Sequence, residues 1–380
     1  MKLLSRLKNL LDPPKPSEEI AIAHDYLTQK GGAERVVLAM HRAFPQATIY
    51  TTLYNPEKTY EEFKNANIVV SPLNKMGIFR KNHRAALPFL PIASSLLKVP
   101  AQKTLVSSTG WAHGFNFAGK SFVYCHSPAR WLYLSDQYLG DQTGKVLSTI
   151  LYAMRPVLTK WDQWSVRKAG QYAANSTVIQ QRIMEVYTKD SEIIFPPFSL
   201  PPDEEMKPIA DLEEFLADEN YFMVVSRLLP YKNVDVAIKA FADLDQKLLV
   251  VGDGPLATDL RAMSTDNVKF ASNISDAQLR FAYAHTRGLL AVSYEDFGLT
   301  PLEAGAFGKP TIALHAGGYL DTIREGLNGL FIEKPEIEDL LQGLEAFEHT
   351  AWDFFAIKDY SDRFSEFWFR KKLQEKMDEL

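Results

Sequence analysis

The sequence predicts an α/β protein with two doubly wound parallel-sheet domains, and three observations support this prediction. Short apolar runs alternate with amphipathic helical patterns along most of the 380 residues, which is typical of parallel sheets covered by helices. A chain of this length exceeds what one hydrophobic core usually supports. Residues 196–208 are rich in proline and acidic side chains, and they separate the two series as a linker would.

The first predicted domain covers residues 1–195. Its candidate strands are residues 20–23, 48–53, 68–70, 104–107, 122–125 and 171–174. Behind the first of these, Gly31 and Gly32 open a helix whose apolar residues recur at spacings of three and four. Bare glycine backbone at such a turn can approach a phosphate closely. A G-x-G-x-x-G motif does not follow this strand, which argues against a dinucleotide dehydrogenase.

The second predicted domain covers residues 209–360 and repeats the alternation. Its candidate strands are residues 221–225, 248–251, 268–270, 289–292 and 311–314. Residues 361–380 are predicted to form a final amphipathic helix that packs back on the N-terminal domain. Because open parallel sheets bind ligands at the carboxyl ends of their strands, we expect a ligand site in a cleft between the two domains.

Composition and charge limit the compartments and surfaces in which the protein is expected to work. The single cysteine, Cys125, excludes an internal disulfide framework and fits a reducing compartment. Apolar runs of the length needed for a membrane span are absent, and the leucines near the N-terminus are interrupted by basic residues, unlike a secretory signal. Residues 63–135 contain nine Lys or Arg and no Asp or Glu, interspersed with apolar residues. This mixture favours a membrane-surface element over nucleic-acid binding, with a solvated basic face as the alternative.

Arg227 and Lys232 are candidates for binding an anion. Both lie in the loop that follows strand 221–225, and Asn233 is predicted to cap a helix over residues 234–241. Two cations beside the amides of a helix start form a natural phosphate site. The alternative is a solvated loop whose two cations have no ligand.

Glu295 and Glu303 form a second candidate pair around a strand-to-helix turn. Thr300 is predicted to cap the following helix, with Glu303 reaching back to complete a capping box. Glu295 has no such structural role, and Gly298 gives the turn conformational freedom. A glycosidase needs two carboxyl groups that face one bond. Carboxylates eight residues apart across a turn are better suited to accepting hydrogen bonds along an extended ligand.

Histidines and one further glycine turn lie at other predicted strand ends. His126 follows strand 122–125, where a catalytic or sugar-contacting group would sit, although a single histidine is more often structural. His24 occupies the equivalent place after the first strand, and His113 lies on a loop. Gly252 and Asp253 form a tight turn that can also line a nucleotide. The spacing of these residues does not suggest a divalent metal site.

Four ordered motifs in the second half resemble the retaining glycosyltransferases of family four, which have the GT-B fold of two Rossmann-like domains. They are SRLLPYKNVDVAIKAF, VGDGP, EDFGLTPLEAGAFGKPTIA and GGYLDTI. Two glutamates with seven residues between them are that family's signature, although Asp321 stands where the family often has glutamate. In the first half, AHDYLTQKGGAERV, ATIYTTLY, STGWAHG and YCHSPARWLY resemble bacterial O-antigen and exopolysaccharide mannosyltransferases, which typically use GDP-mannose.

The resemblance implies a role for each matching residue. Arg227 and Lys232 would bind the donor diphosphate. Glu303 would hold the ribose hydroxyls and Glu295 the transferred sugar, while His126 would touch a sugar hydroxyl near the reacting centre. The predicted catalytic residues are His126, Glu295, Arg227 and Lys232. The predicted donor site comprises Gly31, Gly32, Arg227, Lys232, Gly252, Asp253, Ile274, Glu295, Phe297, Gly298, Leu299, Thr300 and Glu303. The predicted acceptor site comprises Asp25, Tyr26, His113 and Arg130.

The resemblance also implies an activity. We expect the protein to transfer a hexose, mannose from GDP-mannose above all, with retention to a lipid-linked glycan. The expected location is the cytoplasmic face of the inner membrane, held there by anionic lipid, with no metal, no other cofactor and no nucleic-acid partner. Three alternatives stay open: a family-four transferase with a UDP-sugar donor, a GT-B epimerase such as a UDP-N-acetylglucosamine 2-epimerase, and a non-catalytic module that binds nucleotide sugars.

Overall fold

The computed structural model describes residues 12–134, 145–198 and 200–380, with residues 145–151 described through their backbone only. The chain divides into two compact units. Unit 1 comprises Met1–Pro196 and Glu366–Leu380, and unit 2 comprises Pro197–Ser365. Most of the segment predicted as a linker therefore belongs to unit 2, and the C-terminal segment joins unit 1 at Glu366. The leucine-rich residues 1–11 lie outside the described part of the chain.

Unit 1 is built on a parallel sheet of seven strands in the order β3-β2-β1-β5-β7-β8-β9, with β4 and β6 forming a separate parallel pair. The strands are β1 (Glu18–His24), β2 (Thr48–Thr51), β3 (Ile68–Val70), β4 (Lys98–Val99), β5 (Ala101–Ser108), β6 (Asn116–Phe117), β7 (Lys120–Cys125), β8 (Gln171–Ala174) and β9 (Ser191–Ile193).

The helices of unit 1 cover the sheet. They are α1 (Gly32–Ala43), α2 (Gly77–Lys81), α3 (Leu90–Leu96), α4 (Arg130–Tyr133), α5 (Lys145–Lys168), α6 (Thr177–Tyr187) and α15 (Glu366–Glu379). The terminal helix α15 buries Phe369, Leu373 and Met377 in the same core as Met40 of α1. That apolar stripe at spacings of four explains why the last helix docks on unit 1.

Unit 2 is built on a parallel sheet of six strands in the order β12-β11-β10-β13-β14-β15. The strands are β10 (Tyr221–Val225), β11 (Lys247–Val251), β12 (Val268–Ala271), β13 (Gly288–Ala291), β14 (Thr311–Leu314) and β15 (Gly329–Ile332). The helices are α7 (Glu213–Leu216), α8 (Val234–Phe241), α9 (Ala257–Ala262), α10 (Asp276–His285), α11 (Thr300–Ala306), α12 (Tyr319–Thr322), α13 (Ile337–His349) and α14 (Phe354–Asp362).

The strand order of each sheet reverses once, which marks where a ligand is expected. In unit 1 the reversal falls between β1 and β5, and in unit 2 it falls between β10 and β13. Chain connections leave a doubly wound sheet in opposite directions at this point, so a crevice opens outside the carboxyl ends of the two strands. The loops after these four strands are therefore the first places to search for a site.

Each of the eleven predicted strands overlaps a strand of the structure, but neither predicted cap residue makes a capping hydrogen bond through its side chain. Asn233 occupies the predicted cap position before α8, in a left-handed conformation with φ of 53°, but its side chain donates to the Val292 carbonyl and makes no capping hydrogen bond. Thr300 is the first residue of α11 and makes no capping hydrogen bond, because Leu299 occupies the cap position. Glu303 is consequently not engaged in a capping box.

Candidate functional site

The loops after β10 and β13 of unit 2 bring a cation and a carboxylate together. Lys232 Nζ forms an ion pair with Glu295 Oε1, and Ser293 Oγ donates to the same carboxylate oxygen at 2.9 Å. The Lys232 side chain is only 12% exposed and that of Glu295 is 28% exposed. Because β10 and β13 are neighbours at the reversal of strand order, residues 63 positions apart in sequence meet at one crevice.

Arg227 lies in the same loop as Lys232 but is exposed. Within the described residues its guanidinium makes no ion pair. Its backbone is held by the turn after β11, where Leu228 N donates to the Asp253 carbonyl at 2.9 Å. Gly252 has φ of 150°, and a Cβ there would overlap the Ser226 carbonyl oxygen. Gly252 and Asp253 thus support the Arg227 loop, and a ligand phosphate can reach Arg227 from solvent.

Glu303 points toward a buried tyrosine that the sequence analysis did not identify. Tyr283 of α10 is fully buried, and its hydroxyl donates to Glu303 Oε2 at 3.0 Å. Burial raises the pKa of Tyr283 well above its usual value, and the neighbouring Glu303 carboxylate raises it further. The hydroxyl therefore stays protonated and orients one oxygen of Glu303. Glu303 itself remains partly exposed in the first turn of α11.

A second buried tyrosine supports the turn that carries Glu295. Gly298 has φ of 83°, and a Cβ at this position would overlap the ring of Tyr319. The Tyr319 hydroxyl lies 3.4 Å from Ser293 Oγ, and Gly318 N donates to the Glu295 carbonyl at 2.8 Å. The glycine pair before Tyr319 was visible in the sequence, but Ser293 and Tyr319 carried no signal of their own.

The remaining predicted donor residues differ in exposure. Phe297 is buried in the core and its ring packs against Phe364, so its side chain is not positioned for a donor in this structure. Ile274 is partly buried among the apolar residues of unit 2. Leu299 and Thr300 are partly exposed at the start of α11, beside the two glutamates.

The carboxyl edge of the unit 1 sheet carries a hydrogen-bonded row of polar side chains. His24 ends β1, Ser107 lies at the end of β5, and His126 follows β7. His24 Nδ1 lies 3.0 Å from Ser107 Oγ, and Ser107 Oγ lies 2.8 Å from His126 Nε2. The row spans three neighbouring strands at the reversal point of this sheet. Ser107 was missed from the sequence because its partners depend on strand order.

His126 is neutral under physiological conditions. Part of its residue surface is accessible, but closely packed protein atoms lower the pKa of the ring to about 3, with smaller contributions from His24 and Arg130. A neutral imidazole offers one donor and one acceptor. His126 is therefore suited to hydrogen bonding a sugar hydroxyl, not to acting as a charged acid.

The low pKa of His126 predicts a pH-dependent contribution to stability. Below about pH 6.5 the His126 ring of the unfolded chain binds a proton. In the folded chain the same ring stays neutral until the pH approaches its folded-state pKa of about 3. The stability that the neutral ring contributes is therefore present above pH 6.5 and is lost as pH falls. Thermal unfolding of wild type and His126→Asn at pH 7.5 and pH 5 should show a melting-temperature advantage of wild type that shrinks at pH 5. A difference that is the same at both pH values would contradict this assignment.

The glycine pair before α1 has two distinct structural roles. A Cβ at Gly31 would overlap the carboxyl group of Glu34, whereas a Cβ at Gly32 would meet no atom within 4 Å. Glu34 is buried, burial raises its pKa, and its Oε2 atom has no hydrogen-bond partner among the described residues. A side chain at Gly31 would therefore have to displace the carboxyl end of Glu34, while the protein itself leaves open space beside Gly32.

Two residues predicted to bind the acceptor are used inside unit 1. The buried Asp25 carboxylate accepts hydrogen bonds from the backbone N–H groups of residues 109, 111 and 112, including Trp111 N at 3.0 Å. His113 is buried and its Nε2 lies 3.0 Å from Asp162 Oδ1. These contacts give Asp25 and His113 a supporting role and do not favour acceptor binding.

The other two predicted acceptor residues lie nearer the surface. Tyr26 is largely buried and stacks on His83 at a ring distance of 4.4 Å. Arg130 is exposed at the start of α4. Of the four predicted acceptor residues, Arg130 is thus the most accessible.

Across the ranges that the structure describes, His, Cys, Asp and Glu side chains form no group of three that could hold a metal ion. Helices long and apolar enough to cross a bilayer are likewise absent from those ranges.

Comparison with known protein families places the unit 2 site in a recognised domain. Residues 209–363 match the family model described as glycosyl transferases group 1. This span contains Arg227, Lys232, Glu295 and Glu303.

Relatives with assigned activities are similar to this chain over different lengths. The chain is 27% identical to the alpha-1,3/1,6-mannosyltransferase ALG2 of Saccharomyces cerevisiae, over 83% of this chain and 73% of that protein. It is 30% identical to the GDP-mannose-dependent alpha-(1-6)-phosphatidylinositol monomannoside mannosyltransferase of Mycolicibacterium smegmatis, over 32% of this chain and 37% of that protein.

Solved structures share the fold at low sequence identity. Anabaena Alr3699/HepE in complex with UDP superposes with a TM-score of 0.68 at 18% identity, covering 95% of this chain and 100% of that chain. WaaG, a glycosyltransferase involved in lipopolysaccharide biosynthesis, superposes with a TM-score of 0.63 at 16% identity, covering 94% and 99%. The predicted GT-B fold is confirmed. The chain is a glycosyltransferase of the GT-B fold, and its residues 209–363 match the family model of glycosyl transferases group 1.

Proposed function

We propose that the protein transfers mannose from GDP-mannose to a lipid-linked glycan, with retention of anomeric configuration. The observation that carries this proposal is the meeting of Lys232 and Glu295 at the strand-order reversal of unit 2, beside the exposed Arg227. Relatives suggest the sugar and the nucleotide, since a mannosyltransferase is similar to most of this chain and a GDP-mannose-dependent mannosyltransferase is similar to part of it.

Different residues of unit 2 bind different parts of the donor. Arg227 and Lys232 are placed to bind the diphosphate and to stabilise the negative charge that develops on it as the sugar leaves. Because Lys232 is paired with Glu295, a diphosphate competes with Glu295 for that cation. Binding then releases the Glu295 carboxylate to accept hydrogen bonds from the sugar, and Glu303, oriented by Tyr283, accepts from the ribose hydroxyls.

The transfer step requires no nucleophile from the protein. The bond between sugar C1 and the phosphate oxygen breaks, and the acceptor hydroxyl oxygen forms a new bond to C1 on the same face. The departing phosphate oxygen takes the proton of the acceptor hydroxyl. The neutral His126 donates or accepts one hydrogen bond at a sugar hydroxyl. In this mechanism Arg227 and Lys232 supply the positive charge at the phosphates, and we propose that no metal is required.

The two glycines before α1 should respond differently to substitution. Gly32→Ala places its methyl group in open space, so the melting temperature should stay the same or rise slightly, since alanine is the better helix former. If the Gly32 backbone approaches the donor phosphates, the same methyl group should raise the KM for GDP-mannose. Gly31→Ala instead collides with Glu34 and should lower the melting temperature. Equal effects of both substitutions on the melting temperature, or an unchanged KM in Gly32→Ala, would contradict these roles.

A UDP-sugar is the second candidate donor. The solved structures of Anabaena Alr3699/HepE contain UDP, and one contains UDP-glucose. Arg227, Lys232 and Glu303 contact only groups that GDP and UDP donors share, namely the diphosphate and the ribose, so the choice of base rests on other residues. A GT-B epimerase would use the same donor contacts without an acceptor.

We also propose that unit 1 associates peripherally with an anionic membrane. The segment without acidic residues, residues 63–135, exposes Ile78 and Ile92, each more than 60% exposed, and also carries the cations Arg80 and Arg84. Apolar side chains interleaved with cations favour an anionic lipid surface. Flotation with vesicles that contain phosphatidylglycerol tests the association. Absence of flotation, or flotation unchanged by charge reversal of Arg80, Lys81 and Arg84, would contradict it.

Transfer of labelled sugar tests the proposed function. The full chain is incubated with cell membranes and either GDP-[14C]mannose or UDP-[14C]glucose, and the organic extract is counted. The expected result is label in the lipid fraction from GDP-mannose only, in an amount that falls to the background level with Glu295→Gln. Label from UDP-glucose only would overturn the donor assignment, and no lipid label from either donor would overturn the acceptor assignment.

A further inference from the structure

We propose that a cationic concavity at the end of β3 binds the phosphate group of an amphiphilic lipid. The concavity has a volume of about 490 Å³ and is lined by Val70, Ser71, Pro72, Asn74, Lys75 and Arg80. The inference rests on the proposed function, because a lipid-linked acceptor carries both a phosphate and a hydrocarbon chain.

The concavity lies on the functional edge of the unit 1 sheet. It begins where β3 ends at Val70, and β3 runs parallel to β2 and β1. The carboxyl ends of parallel strands share one edge of a sheet, so the concavity opens on the same edge as His24 and His126. An acceptor held here lies on the side of unit 1 where the polar row is found.

Its two cations lack compensating charge. Lys75 and Arg80 are both exposed, and in the part of the chain that the structure describes neither forms an ion pair with a carboxylate. The surrounding sequence from residue 63 to residue 135 contains no Asp or Glu. A lysine and an arginine that line one hollow can both donate to a phosphate, the arginine through its planar fork.

Internal hydrogen bonds fix the walls of the concavity. Ser71 Oγ donates to the Thr52 carbonyl at 2.7 Å, and Asn74 Oδ1 accepts from Tyr54 N at 2.8 Å. The Asn74 amide nitrogen is the part of that side chain left for a ligand. Asn55 Nδ2 donates to the Arg80 carbonyl at 3.3 Å. The polar walls are therefore fixed before binding, and an anion has to order chiefly the exposed Lys75 and Arg80 side chains.

Exposed apolar residues adjoin the lining residues in sequence, which favours an amphiphile over a soluble phosphate. Met76 and Ile78 lie between the two cations in sequence and are 50% and 63% exposed. Val69, just before the end of β3, is 38% exposed. A hydrocarbon chain attached to the phosphate can cover these side chains, which contributes free energy in proportion to the apolar area removed from water. The chemistry fits either a prenyl diphosphate or the phosphate of a phospholipid headgroup.

Two probes and a charge-matched control test this site. Lys75→Ala/Arg80→Ala removes both cations, and Lys15→Ala/Lys64→Ala removes two exposed cations of unit 1 outside the concavity. Farnesyl diphosphate binding is measured by calorimetry, and flotation is measured with phosphatidylcholine vesicles with and without phosphatidylglycerol. We expect the concavity variant to lose at least about tenfold in affinity for one probe, as removal of charge-assisted hydrogen bonds predicts, while the control stays within about twofold of wild type.

The outcomes separate the two sources of phosphate. Weaker farnesyl diphosphate binding in the concavity variant assigns the site to the diphosphate of an acceptor, and loss of flotation alone assigns it to the bilayer headgroup. Unchanged binding of both probes, or an equal loss in the control, would overturn the proposal. GDP binding is measured on the wild type and the same variants, so that the donor proposal is tested separately from this site. If the wild type bound farnesyl diphosphate but not GDP, the proposed donor would be refuted and the proposal for this site would stand.

Discussion

Glu295→Gln is expected to lower kcat with GDP-mannose by at least about 100-fold, the range seen when one stabilising polar contact is removed from a transition state. Glutamine has nearly the same shape as glutamate and can still accept the hydrogen bond from Ser293. It lacks the charge that pairs with Lys232 and that holds the hydroxyls of the transferred sugar. The measurement is kcat and KM with GDP-mannose, together with the melting temperature of the variant.

A matched substitution tests whether loss of a carboxylate charge elsewhere in unit 2 affects turnover. Glu336→Gln removes an exposed carboxylate from the same unit, before α13, and should leave kcat unchanged. Because Lys232 is mostly buried, Glu295→Gln should also lower the melting temperature, since it leaves that cation without its partner. Full turnover in Glu295→Gln would move the reacting centre away from the β10 and β13 loops.

Arg227→Ala is expected to weaken GDP binding by at least about tenfold, since a charge-assisted contact to phosphate is lost. The decrease in kcat/KM should be larger, because the same cation stabilises the leaving diphosphate. Arg227 is exposed and makes no ion pair among the described residues, so the melting temperature should not change. Calorimetry with GDP and steady-state kinetics with GDP-mannose measure the two effects.

Two further variants sharpen the Arg227 experiment. Arg261→Ala removes another exposed arginine of unit 2, from α9, and should leave GDP affinity unchanged. Arg227→Lys keeps the charge but loses the planar fork, and should recover part of the affinity. If Arg227→Ala bound GDP as tightly as wild type, the diphosphate would have to lie elsewhere in the protein.

The sequence predicted the strands that have a clear pattern and missed those that do not. Tyr221–Val225 is an apolar run of five residues and Gln171–Ala174 contains three consecutive apolar residues, and both strands were predicted at their observed bounds. Strands β4 and β6 have two residues each, which is too short for any periodicity to register. Strand β15 (Gly329–Ile332) was missed although its residues after Gly329 are apolar.

The charged site residues could be predicted from the sequence, but their partners could not. Arg227, Lys232, Glu295 and Glu303 lie after predicted strands in motifs with fixed spacing. The pairing of Lys232 with Glu295 depends on β10 lying next to β13, and strand order is not encoded in any local pattern. Tyr283 and Tyr319 are buried by tertiary packing, so nothing in their neighbourhoods marked them as supports for the two glutamates.

Polar residues after strands were the least predictable part of the site. A polar side chain in that place can serve a ligand or satisfy the backbone of the next loop, and the sequence does not distinguish these uses. Asp25 stabilises the loop, since its oxygens accept hydrogen bonds from the backbone N–H groups of residues 109, 111 and 112. His126 bonds to Ser107 and keeps part of its surface accessible, which leaves it able to meet a ligand.

The most direct test of the proposed donor is thermal stabilisation by GDP and by UDP, measured side by side on the full chain. A ligand that binds only the folded protein raises its melting temperature, and at a concentration 100 times its Kd it contributes about 2.7 kcal/mol. We predict that GDP raises the melting temperature, that UDP does not, and that Arg227→Ala abolishes most of the GDP shift. A shift with UDP alone would contradict the mannosyltransferase assignment and would favour a UDP-sugar transferase or an epimerase.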